Sequence, residues 1–276
     1  MKKIEKAQLF LAEHLDLFQC PVCQEAFKQV DNYQLTCPNN HQFDLSKKGT
    51  LHFLLKPMHS EYTRDMLLAR QRIAQDGFWH GLLEEVFEHI ETVDGAHLDV
   101  GSGEGSQSDY LKQLGLSGSI VAFDISKEGI NLAAATYEEI FFLVADLAHS
   151  PFSADSFDTI LNILSPSNYQ EFKRILKPGG LLIKVVPGAD YLKELRALGE
   201  RENNVYSNQD VVDKFAEHFP VHNQYKVEYT VELAEDRVDD FIEMTPLGWN
   251  TEVDAASKAG LRNITIDLLI LEGKME

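Results

Sequence analysis

From Tyr62 to about Thr92 the apolar positions recur at helical spacing, through Met66, Leu67, Ile73 and Phe78 and then Leu82, Leu83, Val86, Phe87 and Ile90. Asp76-Gly77 interrupts the run, so it predicts two helices rather than one. Beyond residue 95 the pattern changes to short apolar runs alternating with helical stretches. Strands are predicted at Ala96–Val100, Ser119–Phe123, Ile140–Ala145, Phe157–Ile163 and Gly180–Val186. Helices are predicted to begin near Ser106, Ser126, Asn168 and Asp190. Such alternation describes an α/β, doubly wound sheet, whose ligands lie beyond the carboxyl ends of the strands. Two later runs, Gln224–Leu233 and Asn263–Leu271, flank a helix-like Glu235–Met244 and predict an antiparallel pair closing the sheet edge. Ahead of all this, Glu5 to Leu17 predicts a short amphipathic helix. Phe43, Leu51, Phe53, Leu54 and Leu55 read as the small core of an N-terminal module, and Lys56–Ser60 as the linker out of it. The organisation expected is a module over residues 1–57, a helical bridge over 58–95 and an α/β domain over 96–276.

Composition adds two constraints. The 276 residues carry a formal net charge of −19. The acidity sits mostly in the α/β domain: residues 1–60 carry a net +1, residues 61–95 a net −5 and residues 96–276 a net −15. Long-range repulsion of nucleic acid follows for the domain but not for the module. No run of ~18 apolar residues is present to span a membrane, and the Lys-rich start has no apolar stretch behind it, so the expected compartment is the cytoplasm.

All three cysteines fall between residues 20 and 37. Three cannot close a disulfide set, and clustering points to metal. The arrangement is Cys20-Pro21-Val22-Cys23, then Cys37-Pro38-Asn39-Asn40-His41, a C-x2-C-x13-C-x3-H pattern. Cys20, Cys23, Cys37 and His41 form a Cys3His set that suits tetrahedral zinc, and four protein ligands leave no open position, so the zinc is expected to be structural. Buried free cysteines with an incidental histidine, or a redox C-x-x-C, are the bland alternatives.

The chemistry of the large domain centres on Asp99-Val100-Gly101-Ser102-Gly103-Glu104-Gly105-Ser106, a strand running through a glycine turn into a helix. Glycines permit positive φ and close approach of the backbone to a ligand, and the helix start adds oriented N–H groups. Nicotinamide-binding proteins use G-x-G-x-x-G in this place. Here the third glycine comes one residue early and an acid stands two before the first. This form resembles motif I of the class I S-adenosylmethionine methyltransferases. The resemblance implies that Gly101, Gly103 and Gly105 cradle the methionine half of S-adenosylmethionine and that Asp99 helps hold its amino group. Asp124 ends the second strand, where an acid can accept both ribose hydroxyls. Asp146 follows the third, where the family's acid meets the adenine amino group. A strand-end acid alone is weak; three at successive strands are a set.

Together, the cysteine pattern with His41-Gln42-Phe43-Asp44, the glycine motif, Asp146-Leu147-Ala148, Phe157-Asp158, Ser165-Pro166-Ser167-Asn168-Tyr169, Tyr206-Ser207-Asn208-Gln209-Asp210 and Met244-Thr245-Pro246 resemble the bacterial 23S ribosomal RNA (guanine-N1)-methyltransferases, on the Gram-positive branch associated with macrolide (tylosin-type) resistance. Arg70 and Gly77 to Trp79 in the bridge fit as well. The fold implied is a Rossmann-like class I methyltransferase sheet with an N-terminal zinc-binding module. The reaction implied is methylation of N1 of a hairpin-loop guanine in 23S rRNA, with the module helping to hold RNA and a homodimer as the assembly in keeping with the family. Trp79 reads on the residues alone as a core aromatic joining two helices, with a pocket wall as the alternative. The resemblance makes it a cofactor contact, along with Gly105 and Ser106. Two departures stand out: Thr50-Leu51-His52 replaces the family's usual Tyr-Val-Asn, and the acidity is high for an RNA enzyme. A methyltransferase for a small molecule or protein, or a non-catalytic RNA-binding protein, are the competing readings. Asn162 and Ser165 are positioning candidates near the substrate and Tyr169 a stacking candidate; no base can be named from the residues.

Overall fold

A computed structural model describes residues 1–58, 61–198, 207–248 and 254–275. Tyr206, part of the family motif above, and His59 and Ser60 of the linker lie outside the described residues. The chain opens with α1 (Lys3–Glu13) and a three-stranded antiparallel sheet of β1 (Gln29–Asp31), β2 (Gln34–Thr36) and β3 (Gln42–Asp44), followed by β4 (Leu51–His52). The bridge is α2 (Arg64–Gln75) and α3 (His80–Glu88), parted at the expected break, where Gly77 takes φ +91°. Thr63 caps α2, its side chain accepting the Met66 N–H at 3.2 Å.

The domain then alternates β5 (Ala96–Val100), α4 (Ser106–Leu114), β6 (Ser119–Asp124), α5 (Lys127–Thr136), β7 (Phe141–Val144), β8 (Phe157–Ile163), α6 (Tyr169–Ile175) and β9 (Leu176–Pro187). Ser126 and Asn168 cap α5 and α6, each accepting an N–H three residues on at 3.2 Å. After the short α7 (Lys193–Arg196) come α8 (Gln209–His218), β10 (Val221–Glu232), α9 (Val238–Glu243), α10 (Ala255–Gly260) and β11 (Asn263–Lys274). The predicted helix near Asp190 starts only at Lys193, because Leu192 takes a left-handed conformation just before it.

The large sheet has the order β10-β11-β9-β8-β5-β6-β7-β4. Its strands are parallel from β9 to β4, and β11 and β10 close the β9 edge in antiparallel fashion, as the tail pattern predicts. Strands β5 and β7 are buried at every position, the mark of a parallel sheet covered on both faces.

The N-terminal module is not a separate body with its own small core. Leu51 and His52 pair with Leu143 and Val144, adding β4 to the edge of the large sheet. Phe10 stacks on Phe141 with centroids 4.9 Å apart, and Phe18 packs on Phe141 and Phe152. The Lys3 ammonium donates to the Ala134 and Ala135 carbonyls at the end of α5. Leu51 and Phe53 are therefore buried in one continuous core with the sheet, while Leu55, expected in the module core, is 52% exposed. The reason is the edge itself: β7 offers unpaired backbone and flanking phenylalanines, and the short module has too little surface to bury its own.

Candidate active site and metal centre

In the module, Sγ of Cys20 lies 3.5 Å from Nδ1 of His41, Sγ of Cys37 lies 3.4 Å from the same nitrogen, and the Cys23 and Cys37 sulfurs are 3.7 Å apart. All four ligand atoms fall within 4.8 Å of one another. A tetrahedral zinc with bonds of about 2.3 Å to sulfur and 2.0–2.1 Å to nitrogen requires separations of roughly 3.8 and 3.5 Å. The donor set fits the ion in type and number, and these three separations match a tetrahedral site. Burial pushes the Cys20 thiol up to about 11, while the Glu25 N–H pulls Cys23 down to about 6.

At the carboxyl end of the sheet, Gly101, Gly103 and Gly105 all take positive φ, between +56° and +86°. A Cβ on Gly103 would meet nothing within 4 Å: this turn faces open space, as a cradle for a ligand must. Gly101 and Gly105 are tight for internal reasons. A Cβ on Gly101 would come within 2.6 Å of Ser165, and one on Gly105 within 2.8 Å of Ala133 and 2.9 Å of Phe142. The Gly105 position is thus held by packing against α5 and β7, with the start of α4 directly behind it.

Asp99 and Asp124 stand near the ends of the neighbouring strands β5 and β6, and Asp146 follows the next strand, β7. Asp99 is 2% exposed and accepts the Ser108 hydroxyl. Burial pushes its carboxyl up to about 6, Ser108 opposes this, and the nearby Asp124 adds to it. Asp124 accepts the Gly103 N–H at 2.9 Å and the Ser126 N–H at 2.7 Å, tying the glycine turn to the start of α5; burial raises its carboxyl too. Asp146 caps the turn after β7, accepting the Ala148 N–H at 2.9 Å.

A cavity of about 320 Å³ opens beside Ser165 and is lined by Arg70, Trp79, Ser165, Lys184, Tyr191 and Met244 among others. Trp79 is 2% exposed and packed on Phe78, as the core reading expects, and it also borders this cavity. The Arg70 guanidinium lies 4.7 Å from the Trp79 ring centre. Met244, Thr245 and Pro246 meet the site here, although far off in sequence. A larger cleft of about 520 Å³ lies along α1 and the α5–β7 turn. It contains none of the strand-end acids and belongs to the junction of module and sheet, where Lys6 pairs with Glu138 at 2.7 Å.

Two groups carry more weight than their positions in the sequence suggest. Glu104, inside the glycine turn, is 1% exposed. It accepts the Ser106 hydroxyl at 2.5 Å, and burial pushes it up to about 7. Ser106 is thereby engaged within the turn. Lys184 is the other, a single cation in the apolar run Leu181–Val186; that contrast was the available signal. Tyr169, a stacking candidate, is instead a core residue, buried among Phe172, Phe215 and Phe219 and stacked on His218. Its place at the first turn of α6 directs the ring inward.

The sheet order, the glycine turn with its acids and the Cys3His cluster define a class I S-adenosylmethionine-dependent methyltransferase carrying a zinc ribbon. Residues 18–60 match the zinc-ribbon family model described as "RlmA, N-terminal", and residues 98–184 match the "Methyltransferase domain" model. A Bacillus subtilis (strain 168) protein named "Putative 23S rRNA (guanine-N(1)-)-methyltransferase YxjB" is 35% identical over 93% of this chain and 96% of its own. A Streptomyces fradiae protein named "23S rRNA (guanine(748)-N(1))-methyltransferase" is 27% identical over 91% of this chain and 94% of its own. Among solved structures, a Haloferax volcanii chain from a complex of a methyltransferase with its activator shares the fold, with a TM-score of 0.51 and 19% identity over 78% of this chain and 98% of its own. The chain belongs to the family of bacterial 23S rRNA (guanine-N1)-methyltransferases. Its cofactor is S-adenosylmethionine, and its ribbon holds structural zinc.

Proposed function

We propose that this enzyme methylates N1 of a guanine in a hairpin loop of 23S rRNA, acting in the cytoplasm. The observation that carries the reading is the 35% identity spanning ribbon, bridge and domain together, with a cavity at the strand ends where the acceptor would lie. When bound, S-adenosylmethionine supplies a methyl group already activated on a sulfonium. The chain's part is to hold it and align the nucleophile. Gly101, Gly103 and Gly105 would cradle the methionine half, beside the start of α4 and Ser106. Two buried side-chain polar atoms, the Ser102 hydroxyl and the Gln107 amide nitrogen, are without a partner among the described residues, and both lie at this turn. Asp99 would face the amino group, Asp124 the ribose hydroxyls, Asp146 the adenine and Trp79 the space between cofactor and acceptor. The Arg70 guanidinium beside Trp79 suits an anionic group.

A loop base is more readily splayed out than a paired one and can enter such a cavity. The ribbon, near neutral in charge on an otherwise acidic chain, is the part best suited to approach RNA. A homodimer is the assembly in keeping with the family, to be checked by sedimentation. The deciding experiment is transfer of labelled methyl to unmodified 23S RNA, mapped by reverse-transcription stops. A stop at one loop guanine is expected, because an N1 methyl blocks Watson–Crick pairing. Cofactor binding with no label in RNA would overturn the substrate and favour a small-molecule or protein acceptor, the reading that the net charge of −19 supports.

A further inference from the structure

Lys184 sits in the middle of β9 and is 5% exposed. Buried ammonium groups are ordinarily matched to carboxylates. Among the described residues Lys184 is not: its Nζ donates to Asn162 Oδ1 at 2.7 Å and to the Ser165 carbonyl at 3.3 Å, both neutral. Burial alone pulls the amine down to about 8. The two acceptors belong to the segment after β8 that borders the acceptor cavity, and Lys184 lines the cavity beside Ser165. That segment is held tightly. The Ser165 hydroxyl donates to the Val100 carbonyl at 2.5 Å, the Ser167 hydroxyl to Asn162 Oδ1 at 2.7 Å, and the Asn162 amide to the Pro166 carbonyl at 3.0 Å. Between them Leu164 is fixed at φ +52°, a conformation a leucine adopts only when its surroundings impose it.

The remaining titratable or charged groups around the cavity are Arg70 from α2, Tyr62 before it and Tyr191 after β9; no carboxylate lines it among the described residues. On β11, which packs against β9, Asp267 accepts the Asp190 N–H at 2.8 Å and Glu272 faces His89 at 3.2 Å. An amine with no carboxylate among the described residues to keep it charged, at the edge of a cavity for a neutral base, is placed to accept a proton.

We propose that Lys184 is the base that takes the N1 proton of the target guanine. The assignment rests on the guanine-N1 reading given above. The N1–H bond breaks with its electron pair left on nitrogen, and the proton passes to the Lys184 amine. The same pair forms the N1–CH3 bond as the methyl–sulfur bond breaks, its pair going to sulfur. The Lys184 ammonium then returns the proton to water through the cavity mouth.

The test is single-turnover methyl transfer to unmodified 23S RNA at a series of pH values, with S-adenosylhomocysteine affinity measured alongside by calorimetry. The wild-type rate is expected to rise with pH and level off near pH 8, where Lys184 becomes neutral. Lys184→Arg can still donate to Asn162 and Ser165 but does not release its proton. It is expected to lose on the order of 10²–10⁴-fold in rate, to keep its affinity for S-adenosylhomocysteine, and to move its inflection up to the pH at which guanine N1 itself ionises. Lys184→Met is expected to show the same upward shift. A Lys184→Arg rate within about tenfold of wild type, with the inflection unmoved, would overturn the assignment alone. So would a wild-type rate that falls above pH 8, which would make the ammonium the working form. No label entering RNA with the wild type would overturn the guanine reading and the assignment with it.

Discussion

Asp99 and Glu104 are carboxyl groups kept from water at the mouth of the glycine turn, and their cost to the fold is measurable. Both are pushed up by burial, to about 6 and about 7. A carboxyl whose folded pKa lies above its unfolded value near 4 contributes nothing below that value. Between the two it stays protonated in the folded protein while the unfolded chain ionises, so stability falls as pH rises. The loss is complete above the folded pKa. The ligand-free protein is thus expected to lose stability from about pH 4 to pH 7, by at most about 3 kcal/mol for Asp99. Asp99→Asn should remove the part lost between pH 4 and 6, raising the melting temperature at pH 8 by a few degrees, while weakening S-adenosylhomocysteine binding about tenfold or more. Thermal melts against pH, paired with calorimetry, check both. A variant that melts lower and binds as tightly would mean that Asp99 is a structural acid.

At the scale of elements, the ribbon is the part that depends on its metal. β1, β2 and β3 contain three residues each, and Val30, Leu35 and Phe43 are their only apolar members, so zinc has to supply their order. α1 and β4 are fixed differently, through Phe10 on Phe141 and through backbone pairing to β7. Chelation, or Cys37→Ser, is expected to speed hydrogen exchange over roughly residues 20–44 and to leave β5 to β9 protected. Unchanged exchange in the ribbon would show that its packing suffices without metal. The elements themselves were largely legible in the sequence. β5 and β8 have the predicted bounds, the helices after Ser126 and Asn168 start at their capping residues, and Asp76-Gly77 parts α2 from α3. The misses have local causes: a left-handed Leu192 delays the start of the helix after β9, and β4 is too short to register as a period.

For the whole molecule, ribbon and sheet share one core, and this makes the N-terminus part of the domain's stability. Phe18 is fully buried between module and sheet. Phe18→Ala is expected to cost about 3–5 kcal/mol, read as a shift of one cooperative denaturation curve rather than the appearance of a second. Two resolved transitions would instead mean that module and sheet fold separately. The sequence alone determined the strand–helix alternation from β5 to β9, the antiparallel pair in the tail, the Cys3His set and the three strand-end acids, because each depends on residue type at short spacing: periodicity, knuckles, and a turn that only glycine can make. The tertiary structure decided which of these groups meet. It buried Tyr169 in the core, brought Arg70, Trp79 and Met244 to one cavity, placed β4 on the edge of β7, and set Lys184 against two neutral acceptors. Those outcomes depend on contacts between residues tens to hundreds of positions apart and on the loss of water around them, which no local pattern of residues encodes.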